Sequence, residues 1–69
     1  MTKVDARGRS CPEPVVMTRN ALLSDPEGVE IKVDNICAVE NITRFAGHQG
    51  YQARREEADG EWTLTLTRA

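Results

Sequence analysis

Val29-Glu30-Ile31-Lys32-Val33-Asp34 alternates apolar and polar residues without a break. Successive strand side chains point to opposite faces, so Val29, Ile31 and Val33 share one face while Glu30 and Lys32 take the other. This is a half-buried strand, and its sheet has one apolar and one polar face. Trp62, Leu64 and Leu66, alternating with Thr63, Thr65 and Thr67, repeat the pattern in a later strand. Any helices in the chain must cover the same apolar face, which makes a two-layer sandwich.

The flanking segments supply the remaining elements. Thr2 to Ala6 reads as a short first strand with Val4 and Ala6 on one side, followed by a polar loop from Asp5 to Ser10. A first helix is expected from Pro12 to about Ser24, with Val15, Ala21 and Leu22 toward the core and Val16 and Met17 partly exposed. Asp25-Pro26-Glu27-Gly28 stops it. Asp34 or Asn35 caps a second helix running to about Gln49. Ala38, Val39, Ile42, Phe45 and Ala46 fall on one face of that helix, and Gly47 and Gly50 end it. Tyr51 to Glu57 is a third strand, and Asp59-Gly60 signals a hairpin turn into the fourth. The order is βαβαββ: an α/β two-layer sandwich with a four-stranded mixed sheet and both helices on one face. Right-handed crossover makes strands one and two parallel and brings both helix N-termini to one end. The polar face carrying Glu30, Lys32, Thr63 and Thr65 is expected to be open to solvent.

The segment richest in chemistry is Cys11-Pro12-Glu13-Pro14, at the predicted start of helix one. Helix N-termini carry partial positive charge and unpaired N–H groups, and both favour a thiolate, the reactive form of cysteine. With Cys11 as the N-cap, Pro12 is the first helical residue, and proline suits that turn because its missing N–H has no partner there. The prolines leave Glu13 and Val15 as the nearest backbone donors that could face the sulfur. Arg7 and Arg9 lie upstream and could favour the anion or steer an acidic partner; Glu13 opposes the anion. Cys11 is expected to be partly exposed. A lone Cys-Pro-X-Pro has no second thiol for Cys-X-X-Cys chemistry.

The 69 residues, with net charge −2, are expected to form one domain, residues 1–69, with a small core. The charge opposes non-specific nucleic-acid binding, and strand four offers threonines where base stacking needs aromatics. There is no long apolar run and no secretory region after Met1-Thr2-Lys3, so the expected location is cytoplasmic. One His and two Cys at unrelated spacings argue against a zinc site, and no metal or cofactor is expected.

Cys37 lies about 140° from the centre of the apolar stripe of helix two, at roughly 100° per residue. It reads as a semi-buried, inert cysteine ahead of a second sulfur site or resolving thiol. Helix axes stand about 8–10 Å apart while a disulfide needs Cα atoms within about 7 Å, and Asp34 disfavours its anion. Asp5 either orients the Cys11 loop or points outward from strand one. Glu13 reads as a surface contact, His48 as a helix-end residue, and Arg44, Arg54 and Arg55 as solvated charges.

The stretch Val4-Asp5-Ala6-Arg7-Gly8-Arg9-Ser10-Cys11-Pro12-Glu13-Pro14-Val15 resembles the signature of the TusA/SirA/YedF family of sulfur carriers. Val33-Asp34-Asn35, Glu40-Asn41, Arg44-Phe45-Ala46 and Gly50-Tyr51 resemble its YedF-type branch. The resemblance spans essentially the whole chain. It implies a sulfurtransferase in which Cys11 accepts sulfane sulfur as a persulfide from a cysteine desulfurase-like donor. The sulfur then passes to a downstream acceptor protein, toward transfer-RNA thiolation or related sulfur or selenium metabolism. It also implies supporting roles for Asp5, Gly8, Pro12, Glu13 and Pro14. A monomer is expected, with no membrane and no direct nucleic-acid contact. The competing reading is a non-catalytic regulatory or redox-sensing module; the two separate on whether Cys11 holds a sulfur atom.

Overall fold

The computed structural model describes residues 1–69. It contains β1 (Thr2–Asp5), α1 (Glu13–Ser24), β2 (Gly28–Val33), α2 (Ile36–His48), β3 (Tyr51–Ala58) and β4 (Glu61–Arg68). The sheet order is β1-β2-β4-β3, with β1 parallel to β2 and the other pairs antiparallel. This is the expected mixed sheet.

The alternation in β2 and β4 becomes the core. Their register sets Val29 opposite Leu66, Ile31 opposite Leu64 and Val33 opposite Trp62. Directly opposed residues share a face. Val29, Ile31, Val33, Leu64 and Leu66 are fully buried there, together with Val39, Ile42 and Ala46 of α2. Each of the Val, Leu and Ile side chains contributes about 1.5–3 kcal/mol by leaving water. The opposite face carries Glu30, Lys32, Thr63 and Thr65. No helix packs on it, and Lys32 is exposed while the other three are half-buried.

The α2 stripe is as expected, with Phe45 half-buried at its margin. Asn35, not Asp34, is the cap: its Oδ1 accepts the Ala38 N–H at 2.8 Å. The buried face of α1 differs from expectation. Pro14, Thr18 and Leu22 are buried, while Val15 and Ala21 are half-buried. Thr18 can be fully buried because its hydroxyl donates to the Pro14 carbonyl at 2.7 Å, leaving no polar atom unpaired. The hairpin turn is as read: Asp59 and Gly60 both have positive φ, 55° and 78°, the pattern of a primed turn that matches strand twist.

Both helix N-termini lie at the end of the sheet where β1 and β2 finish. The strands hand the chain there directly to the segments that carry Cys11 and Cys37.

Candidate functional site

The loop from Ala6 to Pro12 is fixed before it reaches the thiol. Ala6 N–H donates to the Lys32 carbonyl at 2.9 Å and so extends the β1–β2 ladder. Gly8, with φ 76° in the left-handed region, presents its N–H to Asp34 Oδ2 at 2.9 Å. Asp5 accepts from both the backbone N–H and the guanidinium of Arg7, at 3.1, 2.9 and 2.8 Å. Arg7 also reaches Glu61 at 3.3 Å. Asp5 thus organises the loop.

Arg7 does not serve the thiol as the sequence suggested, because its guanidinium is taken up by two carboxylates. Arg7 lies with Asp5 and Glu61 on the open sheet face, while Arg9 pairs with Glu13 at 3.6 Å and lines the cleft with Cys11. The Arg7 guanidinium holds the Asp5 carboxyl well below the usual carboxylate range, and Asp5 raises Arg7 in return. A depressed folded-state value means that the pair's stabilisation is present above the unfolded value, about 3.9, and is lost only as pH falls through the lower folded value. In an NMR titration, the Asp5 side-chain carboxyl should still be ionised at pH 4; a midpoint at the ordinary value would show that the Arg7 contact does not persist in solution.

The helix start also departs from expectation. Pro12, not Cys11, is the N-cap, and α1 begins at Glu13 with Pro14 in its first turn. The Cys11–Pro12 peptide is cis. Glu13 N–H donates to the Ser10 carbonyl at 2.9 Å and Val15 N–H to the Pro12 carbonyl at 3.1 Å. Neither amide therefore serves the sulfur, because the turn around Cys11 uses both internally. Glu13 is exposed and lies 3.6 Å from Arg9.

The donor at the Cys11 sulfur comes from the other helix. Asn41 Nδ2 lies 3.5 Å from Cys11 Sγ and 3.6 Å from Cys37 Sγ. Arg44 Nη1 donates to Asn41 Oδ1 at 3.4 Å, which turns the amide nitrogen toward the sulfurs. Both cysteines are free and exposed, which corrects the semi-buried expectation for Cys37. The helix-axis argument against proximity does not apply, because Cys11 sits in a turn ahead of α1. Sequence reasoning missed Asn41 and Arg44 as site residues. Their signal was spacing: positions 37, 41 and 44 fall on one stripe of a helix.

Cys11, Arg9, Pro12, Pro14, Val15, Asn35, Ala38 and Asn41 line a cleft of about 20 Å³, room for roughly one water. Cys37 is not in its wall. A cleft of this size has room for a single extra atom on the sulfur. No cluster of three metal-ligating side chains exists, and no helix is long and apolar enough to cross a membrane. His48 ends α2, exposed and far from the start of that helix.

Comparison with known proteins finds relatives for the chain as a whole. The family described as sulfurtransferase TusA matches residues 2–68. A candidate sulfur carrier protein of Methanocaldococcus jannaschii is 39% identical over 69 residues, covering 96% of this chain and 92% of that protein. The crystal structure of a SirA-like protein from Desulfitobacterium hafniense superposes with a TM-score of 0.89 at 34% identity. It covers 97% of this chain and 96% of that one.

Proposed function

The chain belongs to the TusA sulfurtransferase family of sulfur carriers, and from that premise we propose that Cys11 is the thiol on which it carries sulfane sulfur. The supporting observation is an exposed cysteine on a loop pinned by Asp5, Gly8 and Asp34, opening onto a cleft with room for about one added atom. The Cys11 thiolate attacks the outer sulfur of a persulfide on a cysteine desulfurase-like donor. A new S–S bond forms at Cys11, and the donor cysteine leaves as a thiolate. A downstream acceptor thiolate later takes the outer sulfur in the same way and releases Cys11. The acceptor pathway is thiolation of transfer RNA or related sulfur or selenium handling. Residues 1–69 act as one cytoplasmic, monomeric carrier unit in this scheme. Arg9 lines the cleft with Cys11, where its positive charge favours docking of an acidic partner surface. Pro12, Glu13 and Pro14 shape the turn.

The test is intact mass after incubation with a cysteine desulfurase and cysteine. The expected result is a gain of one sulfur atom that a thiol reductant removes. Uptake of oxygen under oxidant, with no uptake of sulfur from the desulfurase, would replace the carrier reading with redox sensing.

A further inference from the structure

Two thiols, from different elements and 26 residues apart in sequence, face one amide nitrogen. A primary amide has two N–H donors, and Arg44 holds this one by its oxygen so that the nitrogen faces the sulfurs. We propose that sulfur loaded on Cys11 passes within the molecule to Cys37, with Asn41 as the positioning residue for both sulfurs. The inference rests on the Cys11 persulfide proposed above.

The geometry selects the reaction. The sulfurs can be no farther apart than the sum of their two distances from Asn41 Nδ2. The outer sulfur of a persulfide stands about 2 Å beyond Sγ. A sulfur carried on Cys11 lengthens its reach by that amount and so shortens the separation that Cys37 must close. Attack on the inner sulfur, which would form a disulfide, requires the two thiols to touch each other. The favoured step is therefore attack by the Cys37 thiolate on the outer sulfur of Cys11–S–SH. The Cys37–S bond forms and the S–S bond at Cys11 breaks. Its electron pair stays on Cys11 as a thiolate, and the proton stays on the transferred sulfur. Atoms and charge balance with no oxidant or reductant. Cys37 lies outside the cleft and is exposed, so the sulfur moves from the cleft to an open helix surface.

Cleavage after lysine and arginine separates the thiols, with Cys11 in residues 10–19 and Cys37 in residues 33–44. Wild type, Cys11→Ser, Cys37→Ser and Asn41→Ala are each loaded with less than one sulfur per chain by a cysteine desulfurase, alkylated after increasing times and digested. In wild type the sulfur should appear first on 10–19 and then divide between the two fragments. In Cys37→Ser it should stay on 10–19, and Cys11→Ser should show none on 33–44. Asn41→Ala should slow the rise of the fraction on 33–44, normalised to total sulfur bound, by about tenfold through lost positioning. Sulfur confined to 10–19 in both wild type and Cys37→Ser overturns the proposal, as does direct loading of Cys37 in Cys11→Ser. Loss of two hydrogens with release of hydrosulfide, the disulfide route, also overturns it. So does transfer from loaded Cys37→Ser to unloaded Cys11→Ser at the wild-type rate, because the step would then be intermolecular. Absence of sulfur on Cys37→Ser instead refutes the Cys11 persulfide itself.

Discussion

Cys11→Ser is expected to reduce sulfur loading by a cysteine desulfurase to background, while Cys37→Ser keeps most of it. Both thiols are exposed and near the start of a helix, so accessibility alone does not separate them. Their settings do. Cys11 sits on a loop pinned by Ala6, Gly8 and the Asp5–Arg7 pair, and it lines the cleft with Arg9. A fixed nucleophile loses little conformational freedom when a partner docks, and reaction geometry then comes at low entropic cost. Cys37 lies between Ile36 and Ala38, outside the cleft. The measurement is intact mass of the two variants under one desulfurase. Equal loss in both would show that capture needs two thiols, and the assignment of Cys11 as the receiving group would be wrong.

Ile31→Ala should lower stability by about 2–5 kcal/mol, the usual cost of removing a buried aliphatic side chain and leaving its cavity. Ile31 is fully buried, between Val4 on the parallel neighbour and Leu64 on the antiparallel one. A single core of this size rarely supplies more than about 3–5 kcal/mol in total, so the variant should be close to unfolded at 25 °C. Leu23→Ala is the control. Leu23 is 77% exposed, and its replacement should stay within about 0.5 kcal/mol. Urea unfolding of the pair gives the answer, and similar midpoints for the two would mean that the sheet core is not the main source of stability.

How much of this was legible in the sequence depended on whether the signal was local. β2 was readable because alternation is a property of six adjacent residues, and α2 because its apolar stripe repeats at helical spacing. The core face of α1 was harder to read because two of its buried positions are Pro14 and Thr18, which hydropathy marks as exposed. Thr18 escapes that rule through its hydroxyl contact with Pro14, which only the folded turn reveals. Cys11 was visible through its prolines. Its neighbours were less so: Asp34 reaches Gly8 across 26 residues and Asn41 reaches Cys11 across 30. The first is set by the parallel pairing of β1 with β2 and the second by how the turn before α1 meets α2, and no short window of sequence contains either. Arg7 was misjudged for the converse reason, since closeness in sequence to Cys11 placed it at the thiol while its geometry gave it to Asp5 and Glu61.

The strand order leaves β1 and β3 at the two rims of the sheet. A bare rim invites another chain to add itself by backbone pairing, the first step of amyloid-like assembly. One rim here is only four residues long, with Lys3 and Asp5 exposed. The other carries Arg54, Arg55, Glu56 and Glu57, all exposed. An incoming strand would meet a block of mixed charge on one side and run out of ladder on the other. Growth of the sheet by pairing at either rim is thereby discouraged.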